Sequence, residues 1–377
     1  RNFHLNKVLA QTHEVWLNTF LEAEQPSDHG PLHTLCQGVE TTPVPVRSTQ
    51  LRLKQMLTTT KPDMAWRLWS EPFVQTLRQT LKNVIFDVVH VEGIEMAPYV
   101  PTIRRFAPQA KIVYDDHNAE WLLQARNFQV DLKNPSRWVA ALYSFVQTQR
   151  LKAYERWVSQ TADRVVVCSQ ADQLALKQLD STLDIAIIPN GVDLPSYRTY
   201  DGPIETFDLV FTGKMDYRPN IDAMLWFGQE VFPKILAQRP STTFAIVGQK
   251  PHVRLDPLRK NPAITITGFV DEVMPYIYGA KVFVAPFRIG GGTRLKLLEA
   301  MAMQKPIVAT TVGAEGYPIR AGTEMMIADD QDQMAQVIVS LLDDSTERER
   351  LGKSAFEFVE AHYSWGKIVP LFEPLYQ

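Results

Sequence analysis

Cysteine, strong net charge and long apolar runs are all scarce in this chain of 377 residues. Cys36 and Cys168 are the only cysteines, too few for a disulfide framework or a cysteine-rich metal site. The formal net charge of -3 lacks the broad basic excess of a nucleic-acid binder, so no nucleic acid is expected as a partner. No apolar run reaches the ~18–20 residues needed to span a bilayer. A cytoplasmic address is therefore expected, with peripheral association at the inner membrane face as the alternative. No internal repeat or low-complexity tract occurs. A G-x-G-x-x-G followed by a downstream acidic residue is also missing, which argues against a plain dinucleotide oxidoreductase. The chain begins without Met, and Arg1–Ala10 reads as a helix already under way, with Phe3, Leu5, Val8 and Leu9 as its apolar positions. An opening strand and its loop are thus expected to be missing from the first domain.

What remains is an ordinary globular composition, 45% hydrophobic and 21% charged, at a length that suggests two domains. Short apolar, β-branched runs alternate with helical stretches throughout. In the first half they are Glu14–Phe20, Val84–Val91, Lys111–Asp115, Arg164–Cys168 and Ile185–Ile188. The second half offers Leu209–Thr212, Thr243–Val247, Ile264–Thr267, Val282–Pro286, Ile307–Thr310 and Met325–Ala328. Runs apolar on both faces and separated by helices imply parallel sheets in a doubly wound α/β arrangement. Pro135–Gln160 reads as one long helix with Trp138, Leu142, Phe145, Leu151 and Tyr154 near one face. Pro, Gly, Asn and Asp crowd Pro189–Phe207, so a boundary is expected near Leu194–Thr206. Two Rossmann-like domains, 1–195 and 206–362, would face each other across a cleft, and 363–377 would form a final helix crossing back to the first. Ligands belong at the carboxyl ends of such strands.

The run Gly290-Gly291-Gly292-Thr293-Arg294-Leu295-Lys296-Leu297-Leu298-Glu299-Ala300 carries the strongest chemical signal. Glycines leave an apolar strand and enter a helix whose first turn holds Arg294 and Lys296. Helix N-termini already carry partial positive charge, so cations there are unfavourable unless an anion joins them. Free N–H groups, the helix end and two cations together describe a phosphate seat. The plainer alternative is a solvated face in which Lys296 pairs with Glu299 at i, i+3. Glu299 could instead take both hydroxyls of a ribose. "FTGKMDYRPN" ends a second strand at Gly213, with Lys214 at its carboxyl edge and Pro219 where a helix would begin.

In the first half, "YDDHNAEW" follows a strand directly and should direct Asp115, Asp116, His117 and Asn118 into the cleft. A metal site, recognition of sugar hydroxyls, and helix capping by Asp116 or Asn118 are all compatible with these residue types. "VVHVEGIEMAPYVP" brings His90, Glu92 and Glu95 to the same edge, with a satisfied, buried His90 as the plainer outcome. Trp66, Trp69 and Phe73 recur at helical spacing, as a core stripe or as a surface for a lipid acceptor.

Taken together, "IIPNGVD", "FTGKMDYRPN" and "GGGTRLKLLEAMAMQKPIVATTVGAEGY" resemble the landmarks of a family-four, GT-B-type retaining glycosyltransferase. The resemblance covers nearly the whole chain, is strongest from Pro189 to Pro318, and is closest to the bacterial variety associated with exopolysaccharide biosynthesis. It implies a transferase without cofactor or metal, with a nucleotide-diphosphate sugar donor in the second domain. The saccharide, lipid-linked or other hydroxyl acceptor would sit in the first, near His90, Glu92, Asp116 and Asn118. Gly213, Lys214 and the run Gly290–Thr293 would meet the diphosphate, Glu299 the ribose, the chain around Gly268–Val270 the base, and His117 the donor sugar. His117, Lys214, Arg294 and Lys296 would carry the chemistry. Two positions depart from the family pattern. Gly291 stands where the first of two glutamates is usual, and Asn220 replaces a second lysine, so Arg294 and Lys296 would have to restore the charge. A sugar-nucleotide-binding sensor or scaffold, and an epimerase on the same fold, are the alternative readings.

Overall fold

A computed structural model describes residues 1–22, 30–132, 135–290 and 293–377. The chain divides into two compact units, Arg1–Pro189 with Ile368–Gln377, and Asn190–Lys367. Their division falls at Pro189/Asn190, a few residues before the proline- and aspartate-rich stretch read as the boundary.

The first unit opens with a helix at Asn2–Leu9 that buries Leu5 and Leu9. A parallel pair follows, β1 (Trp16–Leu21) and β2 (Gly38–Pro43). The β2 sequence, GVETTP, has no apolar run and is not recognisable as a strand in isolation. Its Gly38 is required by packing, because a Cβ there would fall on the Trp16 ring. Pro43, which cannot donate to a ladder, sits at the strand's end. The main sheet contains β3 (Val88–Glu92), β4 (Lys111–Asp116), β5 (Arg164–Val167) and β6 (Ile185–Ile187), parallel and in that order.

The second unit is one six-stranded parallel sheet. Its strands are β7 (Phe207–Thr212), β8 (Phe244–Val247), β9 (Ile264–Gly268), β10 (Ala280–Ala285), β11 (Ile307–Ala309) and β12 (Met326–Ile327). They lie in the order β12-β11-β10-β7-β8-β9. The chain therefore winds one way from β7 to β9, returns to the other side of β7, and winds outward again. β7 and β10 flank the switch point, where open α/β sheets leave a crevice at their carboxyl ends. Leu209, Val210, Phe211, Phe244, Val282 and Phe283 are buried, as strands covered by helices on both faces require. Each such side chain contributes about 1.5–3 kcal/mol of burial.

Two elements differ from the sequence expectation. The long helix runs Trp138–Thr161 after a short turn at Pro135–Arg137. Leu151 and Tyr154 are buried, but Trp138, Leu142 and Phe145 are exposed, so its apolar residues do not form one buried face. The tail is three short turns, Trp365–Ile368, Val369–Phe372 and Glu373–Tyr376, in place of one helix. Pro370 and Pro374 explain the breaks, since each lacks the N–H that a continuous helix needs.

Candidate functional site

The switch point in the second unit gathers the residues singled out from its sequence. Gly213 follows the last residue of β7 and Gly248 that of β8, and a Cβ added to Gly248 would strike the Gly213 carbonyl. A Cβ on Gly213 itself would lie 2.5 Å from Lys296 Nζ and 2.8 Å from Asn220 Nδ2. Glycine at 213 is thus what lets Lys296 reach the strand end. The helix there begins at Leu295 and runs to Ala302, so Arg294 is its cap residue and Lys296 its second residue. Gly290 adopts φ +125°, a conformation open to glycine. Gly291 and Gly292 lie outside the described residues.

Lys296 is partly buried and does not pair with Glu299. Its Nζ lies 3.2 Å from Asn220 Oδ1, 4.2 Å from the centre of the Phe211 ring and 5.1 Å from that of Phe287. Among the described residues no carboxylate reaches it within ion-pair distance. Burial, and then the neighbouring Arg294, push its pKa down to about 7, against a weaker opposing pull from Glu299. The Arg294 guanidinium lies 4.5 Å over Phe287, and the Tyr317 hydroxyl donates to the Arg294 carbonyl at 3.0 Å. Asn220 Nδ2 donates to the Lys214 carbonyl at 2.8 Å. The Lys214 side chain reaches outward, 3.9 Å from Asp216. The position where a second lysine is usual therefore holds an amide that accepts from Lys296, an ammonium delivered from the next helix.

Three further residues stand here that the sequence did not single out. Asn190 donates to Thr293 Oγ1 at 3.0 Å. The Tyr197 hydroxyl donates to Glu299 Oε1 at 3.3 Å, while Tyr278 donates to the Tyr197 carbonyl. Burial raises the Glu299 pKa, opposed by the Tyr197 hydrogen bond and by Lys296. Asn190 was visible inside "IIPNGVD"; Tyr197 had no local signal. Val270 is partly buried against the core beside an exposed Phe269.

In the first unit, β3 and β4 bring Glu92, Asp115 and His117 together, with one ligand atom from each within 4.8 Å. This set could hold a metal, but a cation already sits against it: Arg1 Nε lies 3.2 Å from Asp115 Oδ2. Arg1 also donates to the Ile188 and Pro189 carbonyls. His117 Nε2 lies 2.9 Å from Glu92 Oε2. Burial opposes ionisation of Glu92, yet hydrogen bonds from His117 and His90 hold its carboxyl well below the usual range. Burial lowers the His117 pKa, but Glu92 and Asp115 outweigh it, and the net shift is upward.

Several expectations change at this edge. Asp115 and Asp116 are buried rather than directed outward. Asp116 Oδ1 accepts from the Tyr114 hydroxyl at 3.0 Å, and burial followed by the nearby Glu155 and Glu120 carboxyls pushes its pKa well up. Asp116 and Asn118 do not cap the following helix. Asp172 accepts the Ala119 N–H and Glu155 the Trp121 N–H. His90 sets Nδ1 3.5 Å from Glu92 Oε1, and its ring packs on Phe372 and Tyr376 at 5.3 and 5.4 Å. Glu95 accepts from Arg67 at 3.4 Å. Phe73 is buried and Trp69 stacks on Tyr99, so the aromatic stripe belongs to the core.

Comparison with known proteins agrees with this geometry. The family model described as Glycosyltransferase Family 4 matches residues 24–195, and that described as Glycosyl transferases group 1 matches 206–344. The chain is 27% identical over 193 residues to an "Uncharacterized 44.6 kDa protein in cps region" of Klebsiella pneumoniae, covering 47% of this chain and 50% of that one. Among solved structures, sucrose-phosphate synthase from Thermosynechococcus elongatus superposes with a TM-score of 0.71 at 19% identity, over 99% of this chain and 90% of that one. Anabaena HepE in complex with UDP-glucose gives 0.63 at 15% identity, over 96% and 99%. The chain spans about half the length of the first of these relatives. The chain thus carries, in order, a segment that matches Glycosyltransferase Family 4 and a segment that matches Glycosyl transferases group 1, on a GT-B fold of two Rossmann-like units.

Proposed function

We propose that this protein is a retaining glycosyltransferase that moves a sugar from a nucleotide-diphosphate sugar to a hydroxyl of a saccharide or lipid-linked acceptor. One observation carries the reading: Lys296, an ammonium without a carboxylate partner, lies beside Arg294 at the start of a helix where β7 and β10 diverge. A group so placed is incomplete until an anion joins it, and the donor's diphosphate supplies one. The UDP-glucose complex of HepE supports a nucleotide-sugar substrate.

As the glycosidic bond breaks, negative charge grows on the leaving diphosphate and the sugar becomes oxocarbenium-like. Lys296, Arg294, Lys214 and the N–H groups of the helix at Leu295 stabilise that charge without a metal ion. Gly213 and the chain from Gly290 to Thr293 line the phosphates, Glu299 takes the ribose hydroxyls, and the segment at Val270 meets the base. In the first unit His117, held by Glu92, is assigned to the transferred sugar. The departing phosphate takes the acceptor's proton, so the sugar is delivered to the face from which it left.

Lys296→Ala is expected to lower transfer by ~100–1,000-fold, the loss typical of one strong contact to developing charge. Thermal stabilisation by a panel of nucleotide sugars, beginning with UDP-glucose, identifies the donor. Product analysis then separates the readings. A glycoside with retained anomeric configuration supports the proposal, whereas donor isomerised without acceptor, or bound without turnover, defeats it.

A further inference from the structure

The Lys296 ammonium is held by an amide, and that amide is engaged at both ends. Asn220 is the third residue of helix Arg218–Trp226, which opens after the turn at the end of β7, and its side chain is buried. Its Nδ2 donates back to the Lys214 carbonyl at 2.8 Å, and its Oδ1 accepts from Lys296 Nζ at 3.2 Å. The Tyr217 N–H donates to the same Lys214 carbonyl at 3.2 Å, so the turn that carries Lys214 is closed from two directions. The two ends of a carboxamide are not interchangeable here. Turned over, its NH2 would face an ammonium and its oxygen a carbonyl, donor against donor and acceptor against acceptor. The partners therefore dictate the orientation that points Oδ1 at Lys296.

A neutral acceptor and a carboxylate leave an ammonium in different states. A carboxylate largely neutralises the cation it holds, whereas an amide fixes the cation and leaves its charge available to a further anion. The surrounding charges do not undo this. Arg294 and Glu299 share the Lys296 helix; the first repels the ammonium, and the second attracts it more weakly from beyond ion-pair distance. On the β7 side, Lys214 turns outward toward Asp216. The rings of Phe211 and Phe287 lie against the remaining flank. Gly213 leaves the space between open, since a Cβ there would crowd both Lys296 Nζ and Asn220 Nδ2.

We infer that Asn220 is a positioning residue, whose amide fixes the Lys296 ammonium at the carboxyl end of β7 without neutralising it, ready for the diphosphate of the donor. The ligand in this inference rests on the proposed donor site, so two readouts separate them. The first uses no nucleotide: the titration of Lys296 is followed by NMR on lysine-labelled protein, its signal assigned by its loss in Lys296→Met. Asn220→Leu removes the acceptor and should move that titration to lower pH, while Asn220→Asp sets a carboxylate in its place and should move it to higher pH. The second readout is calorimetric binding of UDP-glucose, whose diphosphate stays ionised across the range. Both variants should bind roughly tenfold or more weakly near neutral pH. The leucine variant should regain affinity as the pH is lowered and its ammonium is restored, and the aspartate variant should not. A residue serving the fold alone would lower the melting temperature without driving the two titrations apart. Asn220→Asp keeps the size of the side chain, so it carries the test should Asn220→Leu fail to fold. Coincident Lys296 titrations in wild type and the folded variants would overturn the inference, as would UDP-glucose affinity equal to that of a binding wild type. Titrations that separate as stated, in a wild type that does not bind UDP-glucose, would support Asn220 and count against the donor reading alone.

Discussion

Each unit buries ionisable groups, and the two do so with opposite sign. In the first, Asp116, Glu155 and Asp172 are buried around the start of helix Glu120–Leu132, where burial and neighbouring carboxyls push the pKa of Asp116 and Glu155 well up. Protein groups answer them: the Tyr114 hydroxyl, the Ala119 and Trp121 N–H groups, and the Ser169 hydroxyl. Among the described residues, Asp116 Oδ2 and Glu155 Oε2 find no hydrogen-bond partner. In the second unit, among the described residues, Lys296 Nζ lies against an amide oxygen and two aromatic rings, with no carboxylate at ion-pair distance. In the first arrangement protein donors reach at least one oxygen of each carboxyl, while the second asks for an anion from outside. Burial of charge is therefore no mark of a ligand site by itself; what separates the two is whether the protein supplies the partners.

The comparison breaks first at Arg1, a cation set against Asp115 of the first unit. Its ion pair with Asp115 is buried on both sides. Arg1→Met leaves that carboxylate uncompensated and is expected to cost about 3–5 kcal/mol in urea unfolding. A smaller loss would mean that Asp115 simply takes up a proton.

The pH dependence of stability should run in opposite directions in the two units. Lys296 falls from 10.5 in the unfolded chain to about 7 in the folded one. Between those values the unfolded state binds more protons, so this group makes folding more favourable as pH rises from about 7 to 10.5. Lys305, pushed down to about 8 by burial, adds to the same slope. Glu120, raised by burial from 4.5 to about 7, acts the other way, and its contribution is lost as pH climbs through that range. Hydrogen exchange resolved by unit reads both slopes, and Lys296→Met should flatten only the second unit's. Because transfer needs the ammonium, activity limited by Lys296 should fall as pH rises above about 7, less so with donor bound.

Smaller effects refine the picture. Glu155→Gln keeps an acceptor for the Trp121 N–H while removing a titrating group, and should raise stability at pH 8 by about 1 kcal/mol relative to pH 4. Tyr197→Phe removes one hydrogen bond to Glu299 and should weaken nucleotide binding by about 0.5–1.5 kcal/mol in titration calorimetry. If Glu299 holds the ribose, the variant should also discriminate less between ribo- and 2′-deoxyribonucleotides.

Much of the fold is legible locally, because strands covered on both faces are largely apolar, as "FDLVFT" and "AKVFVA" are apart from the paired Asp208 and Lys281 near their starts. β2 is not, since its glycine and threonines answer to Trp16 rather than to any pattern of their own. The exposed half of helix Trp138–Thr161 misleads for the reverse reason. Its apolar residues look like a core face, and only burial shows that they are not. Glycine, lysine and arginine near residue 294 announce an anion seat because their electrostatics are local. The Asp115 and Asp116 carboxylates mislead, because nothing adjacent in the sequence reveals Arg1, Glu155 or Asp172.

The sequence by itself determined that the chain is α/β with parallel strands, that cations stand at a glycine-lined helix start, and that Asn220 occupies a position where a lysine is usual. Tertiary structure decided where those cations go. The return of the chain from β9 to the far side of β7 sets β10 beside β7, and Lys296 then reaches Asn220 across 76 residues of sequence. Strand order is a property of long-range packing, whereas periodicity and helix-end charge act over a few residues. For that reason the nature of the anion seat could be read early, and its second wall could not.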